Sequence, residues 1–231
     1  YRPAIGIIRY DDTYWGQNAF WDRGLYGNGC VHPDRRSREW IRAVNAVTFG
    51  ESGHASFNLN RIDRTLLQKH RSFCSMNGLA VCDVLEQHGI PAVVQTALDI
   101  SRAAEPFDRT RAVRYLEEGR VVIFSCGSGC PYFSTDTAAA LRAAEIGADA
   151  ILLAKNIDGV YDADPAKVPT AKKFDRISYD EVLARGLGVM DATATALAMD
   201  NHIPVLVFAL KDPANIKRVL LGERIGTYVG T

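Results

Sequence analysis

The second half of the chain alternates short apolar runs with stretches that carry the spacing or the capping residues of helices. The apolar runs predict buried strands at residues 121–124, 150–154, 205–208 and 227–229. The other stretches predict helices at residues 109–118, 137–146, 178–185, 191–199 and 213–221. Strands that alternate with helices imply a largely parallel sheet covered by helices on both faces.

Polar residues at the starts of these helices predict where they are capped. Thr135 or Asp136 can accept N–H groups at the start of the second helix, and we expect Asp136 to be its cap. Ser178 and Glu181 have the S-x-x-E spacing of a capping box. Asp191 is a third expected N-cap.

The first half of the chain has a weaker pattern. Candidate strands lie at residues 4–8, 44–49 and 91–95, and one or two helices at residues 63–88. Residues 10–40 carry all three tryptophans and show no convincing period. We expect one domain over residues 1–231, in which residues 1–105 are poorly readable and residues 106–231 carry the clear α/β pattern.

Composition limits the class of protein. Hydrophobic residues make up 47% of the 231 residues, enough for a sizeable core. Lysine plus arginine and aspartate plus glutamate both number 27, and this zero net charge argues against a chain-wide nucleic-acid surface. No apolar run reaches the ~18 residues of a membrane span, and five cysteines, an odd number, predict free thiols. We therefore expect a cytoplasmic protein without a membrane or nucleic-acid partner.

The loop after residues 121–124 has the composition of an anion site. Residues 127–137 read GSGCPYFSTDT, a small-residue turn that leads into a helix. Glycines let backbone N–H groups approach an oxyanion, and the helix N-terminus adds partial positive charge. Hydroxyls of Ser134 and Thr135 add donors, and the rings of Tyr132 and Phe133 could wall in a flat base. A strand-to-helix loop that merely needs small residues is an equally good interpretation of these residues alone.

A second loop, residues 156–165, follows the next predicted strand. Open α/β sheets bind ligands beyond the carboxyl ends of their strands. Tyr161 offers a face for a purine, and Asp164 could accept a hydrogen bond from a ribose hydroxyl or from a metal-bound water. A surface loop of turn-forming acids is the simpler interpretation of these residues alone.

Together these stretches resemble the bacterial uridylate (UMP) kinases of the amino acid kinase fold. The phosphate-acceptor loop of that family reads like GTGNPFFTTDTAAALRAAE, and residues 127–145 here read GSGCPYFSTDTAAALRAAE. Its nucleotide loop reads like VDGVYDADP, and residues 157–165 here read IDGVYDADP. Further agreement lies at residues 179–201, 203–208 and 222–229, so the resemblance extends from Arg109 to Val229.

The resemblance implies a three-layer α/β/α sandwich with a mainly parallel central sheet, assembled as a homohexamer. It implies transfer of the γ-phosphoryl group of ATP, with Mg²⁺, to UMP, giving UDP in pyrimidine nucleotide biosynthesis. The residues implied to hold UMP are Ser128, Gly129, Cys130, Pro131, Tyr132, Phe133, Ser134 and Thr135. Those implied to contact ATP are Lys155 or Asn156, Tyr161, Asp164 and Gly50. The resemblance assigns no protein side chain to the metal.

The first 75 residues depart from that family. The family begins with KLSGE, in which lysine and glycine hold ATP phosphates, whereas Ile7 stands here at the lysine position and Tyr10 at the glycine position. The family's GGGN loop is reduced to isolated glycines such as Gly50. Arg9 and Arg64 are the candidates for the missing cation.

These departures leave three interpretations open. The chain is an active UMP kinase, a catalytically impaired UMP-kinase-like nucleotide-binding or regulatory subunit, or an amino acid kinase family enzyme with another acceptor, such as a carbamate or an acylamino acid. Phosphoryl transfer depends on positioning and charge stabilisation, so loss of the lysine and both glycine loops predicts poor catalysis unless another cation substitutes. The amino-acid sequence of the acceptor loop favours UMP over other acceptors.

Overall fold

The computed structural model describes residues 6–10, 46–49, 77–130, 132–165, 167–188 and 190–230, and for residues 6–10 and 46–49 it describes the backbone alone. The strands are β1 Gly6–Tyr10, β2 Ala46–Phe49, β3 Ala92–Thr96, β4 Glu105–Pro106, β5 Val121–Ser125, β6 Ala150–Lys155, β7 Arg176–Ile177, β8 Val205–Ala209 and β9 Thr227–Val229. The helices are α1 at residues 77–87, α2 Arg109–Glu117, α3 Thr135–Ile146, α4 Tyr179–Arg185, α5 Ala192–Asp200 and α6 Ala214–Leu220. The elements predicted in the second half of the chain are confirmed, with ends moved by one or two residues.

The described strands form one sheet in the order β4-β3-β5-β2-β1-β6-β8-β9-β7. Neighbouring strands are parallel except β8 and β9, which are antiparallel. This confirms the predicted mainly parallel sheet. Because β3, β5 and β6 run in the same direction, the loops that follow them leave from one edge of the sheet, where open α/β sheets bind ligands.

Successive side chains of the central strands pack against helices on opposite faces of the sheet. Ile151 and Leu153 of β6 belong to a core cluster with buried residues of α2, α3, α4 and α5. Leu152, between them, packs on the other face with Val219 of α6. On that second face Ile123 of β5 lies against α1. The three-layer α/β/α sandwich is confirmed.

Asp136 does not cap α3, and that prediction is wrong. The helix begins at Thr135, so its cap is Ser134, whose Oγ accepts a hydrogen bond from the Thr137 N–H at 3.1 Å. A capping residue needs the extended backbone that precedes the first turn, and Ser134 has it with φ −71° and ψ 169°. Asp136 lies one residue inside the helix and is buried.

The other two predicted caps are confirmed. The Ser178 Oγ accepts the Glu181 N–H at 3.2 Å at the start of α4. The Asp191 Oδ1 accepts the Ala194 N–H at 2.9 Å at the start of α5. The Glu181 carboxylate pairs with Arg185 at 2.6 Å, so it supports the helix through an ion pair one turn along.

No helix in the described part of the chain combines the length and the apolar character that crossing a membrane would require.

Candidate functional site

The loop between β5 and α3 opens with a tight turn. Cys126, Gly127 and Gly129 have positive φ angles of 68°, 63° and 79°. The Gly129 N–H donates back to the Cys126 carbonyl oxygen at 3.3 Å, which closes the turn. A Cβ added to Gly129 would lie 3.0 Å from the Ala97 carbonyl oxygen, so this turn packs closely on the loop that follows β3. The Thr96 hydroxyl at the end of β3 donates to the Cys126 Sγ at 3.3 Å.

The far end of the same loop is held by a cluster of hydroxyls and one carboxylate. The hydroxyls of Ser134 and Thr137 both donate to Asp191, the second at 3.0 Å. Since Ser134 caps α3 and Asp191 caps α5, this cluster ties the N-termini of the two helices together. Partial burial acts to raise the pKa of the Asp191 carboxyl, but hydrogen bonds from Ser134, Ala194 and Thr137 outweigh it and the pKa is lowered. Asp191 is therefore an ionised anchor beside the loop.

The residues predicted to hold UMP lie in the loop between the turn that begins at Cys126 and the Asp191 cluster. Tyr132 is 82% exposed and Phe133 is 50% exposed, and both rings face solvent from an otherwise polar loop. Cys130 is exposed, and its N–H donates to the Ser128 Oγ at 3.1 Å. Exposed aromatic surface beside a glycine turn and a helix N-terminus suits a ligand with a flat ring and a phosphate. Pro131 lies outside the described residues.

An ion pair joins this loop to the one that follows β6. The Lys155 Nζ, at the carboxyl end of β6, lies 3.8 Å from the Asp136 Oδ2 in the first turn of α3. The side chains are only 14% and 11% exposed, so the charges face each other with little water between the two loops. A cation is thereby placed at the junction of the two loops.

A cavity of about 500 Å³ opens beside Lys155. One wall is the loop after β6, the other is the end of α4 with the residues that follow it. Lys155, Tyr161 and Asp164, three of the residues predicted to contact ATP, line it. Asn156, the alternative to Lys155, is not among the lining residues. The lining residues are Lys155, Ile157, Gly159, Val160, Tyr161, Asp162, Ala163, Asp164, Pro165, Arg185, Gly186, Leu187, Gly188 and Val207.

Residues 54–209 match the model of the amino acid kinase family. This match covers more than half of the chain and includes both loops. The chain belongs to the amino acid kinase family.

Solved UMP kinases share the fold of this amino acid kinase along its whole length. The UMP kinase of Ureaplasma parvum is 27% identical, with a TM-score of 0.81 over 100% of both chains. That of Bacillus anthracis is also 27% identical, with a TM-score of 0.79 over 98% of this chain and 95% of the other. The uridylate kinase of Archaeoglobus fulgidus, at 24% identity and a TM-score of 0.60 over 97% of this chain and 99% of the other, shows the fold alone. The family and the similar structures support a phosphotransferase.

Sequence reasoning missed the second wall of the cavity in this amino acid kinase. Arg185, Leu187 and Val207 line it, although they lie 20, 22 and 42 residues beyond the end of the loop at Pro165 in the sequence. Arg185 pairs with Glu181 and its guanidinium lies 5.7 Å from the centre of the Phe174 ring. The glycines around Leu187 mark a break after α4, but only the fold brings that break to the nucleotide loop.

The remaining site predictions fall on parts of the chain that carry no side-chain description. Gly50 and Arg64 lie outside the described residues. Arg9 belongs to β1, where its backbone pairs with Thr48 of β2 and Leu153 of β6. This register places Arg9 next to β6, and Arg9 is the second-last residue of β1. Its part in binding stays a prediction.

Within the described ranges, no group of three or more His, Cys, Asp or Glu side chains is arranged to hold a metal ion. Magnesium binds kinases through one or two carboxylates together with substrate phosphates and water, so it does not need such a cluster. The acids that face the cavity are Asp162 and Asp164. A Mg²⁺ ion carried by the phosphates of ATP is compatible with this donor set.

The Asp191 cluster predicts a pH-dependent stability. A carboxylate with a lowered folded pKa stabilises the fold fully above its unfolded pKa of about 3.9, and this contribution is lost as the pH falls through the folded value. Asp191→Ala should cost about 0.5–2 kcal/mol at neutral pH because the α5 cap is lost. Asp191→Asn keeps an acceptor for the Ala194 N–H and should cost less. We expect urea unfolding to show that each variant's deficit in the free energy of unfolding, relative to wild type, shrinks toward acid pH. A deficit that stays constant from neutral to acid pH would show that the ionised carboxylate contributes nothing.

Proposed function

We propose that this protein transfers the γ-phosphoryl group of ATP to UMP, giving UDP and ADP. The observation that carries the proposal is the contact between Lys155 and Asp136, because it joins the start of α3, after the Gly127 loop, to a residue that lines the cavity. The resemblance of both loops to UMP kinases supports uridylate as the acceptor. So do the two solved UMP kinases that match the chain nearly end to end.

The chemistry requires two phosphate groups held in line. An oxygen of the UMP phosphate forms a bond to the γ-phosphorus of ATP, and the bond from that phosphorus to the oxygen it shares with the β-phosphate breaks. In this proposal the turn at Gly127 and Gly129 and the N-terminus of α3 hold the UMP phosphate. The cavity wall around Tyr161 holds the adenine end of ATP.

Lys155 is a cation between the two proposed phosphate sites: it lines the cavity and contacts the first turn of α3. Its ammonium is nearly buried, so its field on a neighbouring phosphate is stronger than in water. The Asp136 carboxylate lies opposite this ammonium at 3.8 Å and fixes its position. Magnesium bound with ATP would neutralise part of the developing phosphate charge.

Assembly as a homohexamer and a place in pyrimidine nucleotide biosynthesis belong to the same proposal, and the family resemblance is their support. A catalytically impaired nucleotide-binding subunit is the second candidate. Ile7, at the position where the family has its phosphate lysine, favours it. Enzyme assays separate the two.

The direct test is a coupled assay of UDP formation from UMP and Mg-ATP. We expect turnover within the range of about 1–100 s⁻¹ that is usual for kinases. Binding of UMP without turnover would favour the impaired subunit. Phosphorylation of a carbamate or an acylamino acid, with UMP left unchanged, would replace the proposal by another acceptor.

A variant in the acceptor loop tests where UMP binds. Gly129→Ala places a Cβ at positive φ and 3.0 Å from the Ala97 carbonyl oxygen, so the turn must distort. The left-handed strain alone costs roughly 1–2 kcal/mol. We expect the KM for UMP to rise about tenfold or more, the equivalent of about 1.4 kcal/mol, with the KM for ATP unchanged.

Gly119→Ala is the matched control for that variant. Gly119 also has a positive φ, of 81°, but it lies in the turn after α2 and a Cβ there would meet nothing within 4 Å. It should lose stability without any change in the KM for UMP. An unchanged KM for UMP in Gly129→Ala, or an equal rise in both variants, would remove the acceptor loop from the proposed site.

A further inference from the structure

A carboxylate just outside the cavity holds the tyrosine that lines it. The Tyr161 hydroxyl donates to the Asp158 Oδ1 at 2.7 Å, and the Lys173 Nζ donates to the Oδ2 at 3.1 Å. Tyr161 lines the cavity, whereas Asp158 does not. Asp158 therefore reaches any ligand in this cavity through the tyrosine.

The backbone on both sides of Tyr161 is fixed separately. Tyr161 and Lys173 form an antiparallel bridge. Next to it, the Asp162 N–H donates to the Lys172 carbonyl oxygen at 3.0 Å, and the Lys172 N–H donates to the Asp162 Oδ1 at 2.7 Å. These bonds hold the main chain but leave the ring free to turn about its side-chain torsions. The hydroxyl bond to Asp158 is the contact that fixes the tip of the ring.

Asp158 itself stands on a rigid support. A Cβ added to Gly159 would lie 2.5 Å from the Thr227 Oγ1 and 2.8 Å from the Lys173 Cδ, so only glycine lets these groups close over the turn. The buried Thr227 hydroxyl accepts the Val160 N–H at 2.8 Å and donates to the Phe174 carbonyl oxygen at 2.5 Å. Because the turn is clamped to β9, a hydrogen bond to Asp158 fixes the ring relative to the sheet.

We propose that Asp158 is a positioning residue for the nucleotide: its hydrogen bond orients the Tyr161 ring so that the base of ATP can stack on it. This inference rests on the proposed function, because it assigns the cavity to ATP. The hydrogen bond also shifts the pKa of both side chains. Donation to the Asp158 carboxylate raises the pKa of Tyr161. Partial burial acts to raise the pKa of Asp158, but hydrogen bonds from Tyr161 and Lys173 outweigh it and lower that pKa.

The Lys173 contact has a smaller part. The side chains of Lys173 and Asp158 are 34% and 51% exposed, and ion pairs of that exposure contribute little because water screens them. Lys173→Met keeps an unbranched side chain over Gly159 and removes only the charge, so it should leave ATP affinity within about twofold of wild type. A larger loss would assign the positioning role to the ion pair instead and overturn the proposal.

A double-mutant cycle on the full chain tests the proposal. Calorimetry would measure the Kd of ATP, UMP and inorganic tripolyphosphate for wild type, Asp158→Ala, Tyr161→Phe and the double variant. Loss of one hydrogen bond, about 0.5–1.5 kcal/mol, corresponds to an ATP affinity about 2- to 10-fold weaker in each single variant. The double variant should bind ATP no more weakly than the weaker single variant, because both changes remove the same bond.

The other two ligands separate positioning from general damage. Affinity for tripolyphosphate, which has no base, and for UMP should be unchanged in all variants. Equal losses for ATP and tripolyphosphate would show a structural role only. Glu118→Ala, which removes an exposed carboxylate paired with Arg120 at 3.0 Å at the end of α2, is the control and should bind ATP as wild type does.

Asp158→Asn is the second variant, for use if Asp158→Ala folds poorly. Its side-chain oxygen can still accept the Tyr161 hydroxyl, so it should recover most of the ATP affinity. An ATP affinity equal to that of wild type in Asp158→Ala, or additive losses in the double variant, would overturn this inference alone. Absence of ATP binding by the unmodified chain would overturn the proposed function, and this inference with it.

Discussion

The contact between Lys155 and Asp136 is the interaction on which the candidate site depends. Each charge is nearly buried, and burying a single charge without a partner costs several kcal/mol. The pair is possible because β6 ends with Lys155 at the sheet edge where α3 begins its first turn. Parallel strands make this arrangement, since the loops after β5 and β6 leave from the same edge. The pair in turn ties the helix that follows the Gly127 loop to a residue that lines the cavity around Tyr161.

The site is surrounded by anchors that act on backbone rather than on ligand. Asp191 joins the N-termini of α3 and α5 through the hydroxyls of Ser134 and Thr137. Thr227 joins the loop after β6 to β9. Both anchors are short polar side chains that bond to two separate segments at once, and neither lines the cavity. Rigid support of this kind is what phosphoryl transfer needs, because its catalysis consists mainly of positioning and electrostatic stabilisation.

Much of the second half of the fold could be predicted from the sequence because its strands are buried on both faces. Val122 to Phe124 and Ile151 to Leu153 read as unbroken apolar runs, and the structure buries them between two layers of helices. The cap of α3 could not be predicted in the same way. Ser134, Thr135 and Asp136 are all capping residue types in succession, and the choice of Ser134 depends on Asp191, which lies far away in the sequence.

The wall of the cavity could not be predicted either, because it is built from residues that are far apart in the sequence. Tyr161 and Asp164 lie in one recognisable loop, whereas Leu187 and Val207 reach the cavity only because α4 and β8 fold beside it. In the first half, the candidate strands at residues 44–49 and 91–95 match β2 and β3, whereas the one at residues 4–8 overlaps β1 by only three residues. The backbone of β1 pairs with both β2 and β6 at the centre of the sheet, yet its sequence GIIRY carries an arginine and a tyrosine where a central strand is usually apolar.

A crystal structure of the chain with UMP would show where uridylate binds. We expect the uridylate phosphate within about 2.7–3.2 Å of backbone N–H groups between Gly127 and Gly129, with its base beside Tyr132 or Phe133. Uridylate bound in the cavity lined by Tyr161, with the acceptor loop empty, would contradict this expectation.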